Sequence, residues 1–195
     1  MSRLLIATTN RGKQQEFRRL LASVPAELVT PDEIGLDLDV DEPHDTYREN
    51  AVAKAEAYAV ASGLPSLADD SGIEIAALGW GPGVRSARWG GGRNAERVLE
   101  ALGDERDRRA RMVCVVAVAR PTAGEMEVHA FRGVVEGTVA TEMRGDGGFG
   151  YDPIFLLPQG RTTAELPEAV KDALSHRGRA VAKATPTLRE LLASE

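Results

Sequence analysis

The stretch "TTNRGK" (Thr8, Thr9, Asn10, Arg11, Gly12 and Lys13) joins an apolar run to a helical pattern. Small hydroxyls, an amide, a glycine and a lysine at a helix N-terminus suit an anion, because free backbone N–H groups and the helix dipole favour negative charge there. An ordinary turn capped by Asn10 accounts for the same residues. Carboxylates recur at Glu42, Glu49 and the pair Asp69-Asp70. Glu42 with one of that pair supplies the hard oxygen set that Mg²⁺ takes alongside substrate phosphates. Neighbouring strand residues point in opposite directions, so one of Asp69 and Asp70 faces a site and the other holds the turn. Glu49 is already explained as the partner of Thr46 in a capping box. Basic groups recur at Lys54, Lys171, His176 and Arg177, and Lys54 follows Asn50 by four, on one helix face.

A glycine-rich stretch, "GDGGFGYDP", raises a separate possibility. Gly145, Gly147 and Gly150 match G-x-G-x-x-G, the dinucleotide fingerprint, which requires a helix to open at the third glycine. Pro153 follows three residues later, and "IFLLP" (Ile154–Pro158) reads as a strand or extended segment. The glycines therefore serve something else. Beside Phe149 they allow the backbone to approach a flat ligand while the ring stacks on it.

Bulk properties narrow the classes. With 195 residues the chain suits a single domain, 1–195. A net charge of −6 argues against a nucleic acid polymer as partner. The single cysteine, Cys114, excludes a disulfide within one chain and reads as a buried strand residue. The apolar run Leu4–Ala7 is too short for a signal peptide, and no stretch approaches a membrane span, so a cytoplasmic protein is expected.

The elements that must position these groups follow from periodicity. Arg3–Asn10 is a strand leaving into a polar turn, and Phe17, Leu20, Leu21 and Val24 mark a helix. A strand at Ala26–Thr30 follows, then an irregular acidic stretch, Asp32–Asp45. A long alanine-rich helix runs from Tyr47 to about Ser62, ended by Gly63 and Pro65. Ser66–Leu78 reads as strand, polar turn, strand, and Gly79–Gly92 as loop. Asn94 caps a short helix to Gly103, and Asp104–Arg111 is a solvated connection. "MVCVVAVARP" is a buried strand with an alternating, antiparallel neighbour in "EMEVHAFRGVVEGTV". Helices at Glu165–Leu174 and His176–Leu192 close the chain, the second either kinked at Thr185-Pro186 or restarted there. The class is α/β with a mixed sheet.

The blocks "ATTNRGK", "TYRENAVAKA", "LADDSGIEI", "PGVRSARW", "GGFGYDPIF" and "LSHRGRA" occur in the order and at the spacing of one family. The chain resembles the inosine/xanthosine triphosphate pyrophosphatases, the Ham1-like house-cleaning nucleotidases, over nearly its whole length. The resemblance implies an elongated α/β fold, with a mixed twisted sheet flanked by helices and two lobes around a central substrate cleft. It implies Mg²⁺-dependent hydrolysis of ITP, dITP and XTP to the monophosphate and pyrophosphate, by a homodimer. Carried over by position, Thr8 to Lys13 bind phosphates, Glu42 and Asp70 hold Mg²⁺, and Asp70 is the general base. Ser71, Lys54 and Lys171 contact substrate. Phe149, Gly150, Tyr151 and Asp152 form the base pocket, and His176 and Arg177 read the purine's six-position oxygen. The sequence departs from the family at His44, usually glycine, and Tyr47, usually phenylalanine. Two other readings differ in product or base preference: a nucleotide-sensing module without turnover, and a pyrophosphatase for other modified nucleotides.

Overall fold

The computed structural model describes residues 2–193. Leu4, Leu5 and Ile6 are fully buried and form strand β1 (Arg3–Ile6). The chain then turns at Asn10, whose side chain accepts the Lys13 N–H at 3.0 Å and starts helix α1 (Arg11–Leu20). β2 (Glu27–Val29) returns parallel to β1. An irregular segment leads to α2 (Tyr47–Ser62), capped by Thr46 and closed by Gly63 at φ +68°. β3 (Ser66–Ile75) is also parallel to β1, and the helices between these strands provide the crossovers that parallel pairing needs.

β3 corrects the sequence reading. Ser66–Ile75 is one continuous strand, with no turn at Asp69-Asp70-Ser71. The strand lies between β1 and β5 (Arg109–Pro121), with β4 (Gly81–Pro82) antiparallel to its far end. Neighbouring strands outweigh the low strand preference of aspartate and glycine. Asp69 therefore holds no turn. It is fully buried and ion-paired instead.

α3 (Asn94–Leu102) is capped at Arg93 rather than at Asn94. The Asn94 side chain instead accepts the Gly90 N–H and donates to the Ala87 carbonyl, tying down the preceding loop. The charged connection is shorter than expected. Arg109 to Arg111 already belong to β5, and Arg111 pairs with Glu74 and stacks 4.7 Å from the Trp80 ring. β6 (Met126–Val139) neighbours β5, and β7 (Phe155–Leu156) is antiparallel to β6. The seven-stranded order is β2-β1-β3-β5-β6-β7, with β4 on β3, so the sheet is mixed.

α4 (Glu168–Leu174) begins later than Glu165, because Pro167 separates it from a 3-10 turn at Thr163–Glu165. α5 (His176–Ala193) runs through Pro186 without restarting. Proline lacks an N–H, and one residue earlier the Thr185 hydroxyl donates to the Val181 carbonyl. No helix among the described residues is long and apolar enough to cross a membrane.

The chain divides into two compact units, Met1–Asp70 with Cys114–Arg132 and Gly178–Glu195, and Ser71–Val113 with Gly133–Arg177. The first is built on a core of Leu4, Ile6, Phe17, Leu67, Val116 and Leu188. The second is built on Ile73, Ile75, Val98, Val135, Ile154 and Phe155. Each unit carries its own cluster of polar residues.

Candidate active site

In the first unit, β1 delivers Thr8 and α1 delivers Lys13 from its first turn. The Thr8 hydroxyl accepts the Asn10 N–H, and Gln14 donates to the Thr8 carbonyl, so the turn before the helix is fixed from both sides. Thr9, Asn10 and Arg11 are exposed, and Gly12 is half-buried. The Lys13 ammonium lies 2.9 Å from Asp69 Oδ1. Behind that carboxylate the Cys114 thiol approaches Oδ2 at 3.7 Å. A buried strand residue was all the sequence disclosed for Cys114; its packing against a carboxylate needed the sheet.

The next residue, Asp70, faces α2. Asn50 Nδ2 donates to Asp70 Oδ2 at 3.0 Å. Lys54, one turn further along the helix, is hydrogen-bonded to Glu42. Burial pushes the Asp70 carboxyl up to about 6, the Asn50 hydrogen bond opposes this, and the charge of Glu42 adds to it. For Lys54, burial acts to lower its proton affinity, but the charges of Asp69, Glu42 and Asp70 outweigh it and leave the ammonium's pKa raised. Lys13, Glu42, Lys54, Asp69 and Asp70 thus belong to one network of opposite charges.

Among the described residues no group of three or more His, Cys, Asp or Glu side chains is placed to hold a metal ion by itself. Two hard carboxylates, Glu42 and Asp70, still interact strongly enough for one charge to raise the other's pKa. That donor set fits Mg²⁺, which commonly keeps waters and takes one or two carboxylates with substrate phosphates. It does not fit a soft metal, because both proposed ligands are carboxylates and neither is a thiolate or an imidazole.

His44 is exposed, and among the described residues its hydrogen bonds are made by its backbone: its N–H donates to Asn50 Oδ1 at 3.0 Å, and its carbonyl accepts from Asn50 Nδ2 at 3.2 Å. Its side chain therefore leaves the placement of Glu42 alone. His44→Gly should keep kcat/KM within about twofold, and its extra backbone freedom should cost no more than about 1 kcal/mol. Steady-state kinetics and a melting curve check both values.

In the second unit, the glycine-rich stretch folds on a buried carboxylate. Asp152 Oδ2 accepts the Phe149 N–H at 2.8 Å and the Lys171 ammonium at 2.6 Å, and Oδ1 accepts the Thr163 hydroxyl at 2.8 Å. A Cβ on Gly148 would sit 2.1 Å from Asp152 Oδ2, and one on Gly145 would sit 2.6 Å from the Ala164 carbonyl carbon. Those glycines answer first to close approach within the protein. Gly150, at φ +63°, has nothing within 4 Å on its Cβ side. No helix opens there, which agrees with rejecting the dinucleotide fingerprint.

Phe149 is half-buried, with the Lys171 ammonium 5.2 Å and the Arg177 guanidinium 5.7 Å from its ring centroid. Cations at that range are attracted to the ring face. Arg177 also donates to the Ser71 hydroxyl at 3.1 Å, and the Tyr151 hydroxyl donates to the Ser86 carbonyl at 2.7 Å. His176 is the first residue of α5 and is buried, as are Lys171 and Arg177. Ser71, Phe149, Asp152, Lys171 and Arg177 are therefore brought together, with Thr163 as a member that the sequence did not disclose. Nothing in its local spacing marks that threonine.

A model of the Ham1 family matches residues 4–187. The chain belongs to the Ham1 family. A dITP/XTP pyrophosphatase of Symbiobacterium thermophilum is 47% identical, over 97% of this chain and 96% of its own. One from Staphylococcus aureus is 40% identical, with 93% of each chain covered. The structure of a HAM1 protein from Coxiella burnetii superposes with a TM-score of 0.85 at 40% identity, covering 97% of this chain and 100% of its own. The Staphylococcus aureus Ham1 protein gives 0.83 at 37% identity, covering 97% and 99%. The mixed α/β sheet is thus a Ham1 fold, and both polar clusters lie within the matched residues.

Proposed function

We propose that this Ham1 protein hydrolyses non-canonical purine nucleoside triphosphates (ITP, dITP and XTP) to the monophosphate and pyrophosphate, with Mg²⁺ as cofactor. It would clear such nucleotides from the cytoplasmic pool, working as a homodimer. The observation that carries this reading is Asp70, a buried carboxylate of raised proton affinity within a network of lysines and a second carboxylate. Family membership and the dITP/XTP pyrophosphatases among its relatives support the substrate class.

The chemistry follows from the charges. A triphosphate is highly anionic while the chain itself is acidic, so neutralisation must be local. Lys13 and Lys54 supply it, with the N–H groups and hydroxyls of Thr8 to Gly12 at the start of α1. Asp70 accepts the proton of the attacking water. At about 6 its pKa is higher than that of an ordinary aspartate, yet it stays ionised at pH 7, which suits a general base. The water oxygen bonds to the α-phosphorus, the bond to the bridging oxygen breaks, and pyrophosphate leaves with that electron pair. Glu42 and Asp70 are the residues that would hold Mg²⁺, which when bound would neutralise charge on the phosphate oxygens. The rest is positioning and charge stabilisation by the chain.

In the second unit, Phe149 presents a face for stacking, flanked by Lys171 and Arg177. Gly150, Tyr151 and Asp152 shape the pocket, and Ser71 adds a hydroxyl. His176 and Arg177 donate to a six-oxo oxygen. An adenine presents an amino group instead, so buried donors would lose their partner, at a cost of several kcal/mol, about 3–5 by the usual penalties for such mismatches.

Purified protein with Mg²⁺ and either ITP or ATP tests the reading. IMP should form from ITP, with phosphate released only after inorganic pyrophosphatase is added, and ATP should be cleaved at least about a hundredfold more slowly. Binding without turnover of any nucleotide would make the protein a sensor instead. Equal cleavage of ATP would remove the six-oxo reading, and preference for another modified nucleotide would reassign the pocket.

A further inference from the structure

The segment that carries Glu42 has no regular secondary structure between Gly35 and Thr46. Something else must fix it, and α2 does so with residues spaced by four. The Tyr58 hydroxyl donates to the Leu38 carbonyl at 2.8 Å. Lys54 bonds the Glu42 carboxylate. Asn50 holds the backbone of His44 at both its N–H and its carbonyl. Positions 50, 54 and 58 share one helix face, so the segment is stapled along α2 at three successive points.

Asn50 differs from the other two. Its residue is 1% exposed, and its Nδ2 also reaches across to Asp70 Oδ2 at 3.0 Å. One amide therefore ties the Glu42 segment to the strand that carries Asp70. Lys54 cannot do this without competing for the same carboxylates, because its ammonium opposes any cation brought to them. An amide is neutral, so it aligns two carboxylates without that competition.

We propose that Asn50 is a positioning residue that sets the separation of Glu42 and Asp70, and with it the affinity for a divalent cation. The inference rests on the metal role given above to those two carboxylates. Groups that orient metal-binding side chains typically change metal affinity about 10- to 100-fold when removed.

The test measures Mn²⁺ binding to the full-length protein without nucleotide, from the free-ion electron paramagnetic resonance signal. Wild type, Asn50→Ala, Asp70→Asn and Tyr58→Phe are compared. For Asn50→Ala the Mn²⁺ Kd should rise about 10-fold or more, kcat should fall, and KM for ITP at saturating metal should stay within about twofold. Tyr58→Phe, which loosens the same segment at Leu38 but does not touch Asp70, should change the Mn²⁺ Kd much less. If Asn50→Ala does not fold, Asn50→Leu fills the space without the hydrogen bonds and gives the same comparison. Unchanged Mn²⁺ affinity in a folded Asn50 variant, with binding lost in Asp70→Asn, overturns this inference alone. Absence of Mn²⁺ binding by the wild type overturns this inference, and ITP turnover undiminished by a metal chelator overturns the metal reading with it. An equal loss for Tyr58→Phe and Asn50→Ala also overturns it, since the segment's general rigidity would then be the cause.

Discussion

Asp70→Asn is expected to lower turnover about 10²- to 10⁴-fold, the usual scale for losing a general base, and at the same time to raise the melting temperature. The substitution keeps an acceptor for the Asn50 amide, so the local hydrogen bond survives. It removes a charge that the folded protein buries. The sign follows from linkage: the Asp70 pKa is raised in the folded state, from 3.8 to about 6. Between those values the folded protein holds a proton that the unfolded chain has released, so stability falls as pH rises through this window. Above pH 6 the full cost is present. Each pH unit of such a difference corresponds to roughly 1.4 kcal/mol, so the variant should gain on the order of 1–3 kcal/mol at pH 8. The gain should vanish below about pH 4, where both states are protonated. Melting curves without divalent cation at pH 4 and pH 8, with ITP turnover alongside, check both halves. Turnover within tenfold of wild type would remove Asp70 from the base role, and an unchanged melting point at pH 8 would remove the buried-charge account.

Asp152→Ala should be the most destabilising single change in either polar cluster, by about 3–5 kcal/mol, as for breaking one side of a buried ion pair. Its carboxylate accepts hydrogen bonds from Phe149, Lys171 and Thr163, and Lys171 is itself buried. Truncation takes the carboxylate away from the buried Lys171 ammonium and releases the turn that presents Phe149. For a chain of this size the melting temperature should fall on the order of 10 °C. The double variant Asp152→Ala with Lys171→Met should recover part of the loss, because the ammonium is removed together with its carboxylate. A denaturant series on the single and double variants measures the coupling. A loss below about 1 kcal/mol in the single variant would mean that the pair does not organise the turn.

Both predictions start from carboxylates visible in the sequence, but neither follows from it alone. Asp69 and Asp70 were legible as a pair at a strand, and alternation along the strand assigned them opposite directions. Their partners were not. Lys13 lies 56 positions before Asp69, and Asn50 lies 20 before Asp70; only β1–β3 pairing and the packing of α1 and α2 bring them together. The false turn at Asp69-Asp70 has the same origin. Two acids, a serine and a glycine look like a turn until neighbouring strands supply the missing hydrogen bonds and buried partners supply the charge.

Local signals decided what local physics controls. Helix starts at Asn10 and Thr46, the stop at Gly63 and the apolar run of β5 follow from capping, left-handed glycine and continuous apolarity, each complete within a few residues. The ordered blocks likewise determined membership of the Ham1 family from the sequence alone. The tertiary structure decided the rest: which acid faces which lysine, that Gly145 and Gly148 are required by the protein's own packing, and that one buried asparagine joins two carboxylate-bearing segments. Capping and periodicity act over a turn or two of chain, whereas buried charge is settled by whatever the fold places within a few ångströms. That distance in space has no counterpart in sequence spacing.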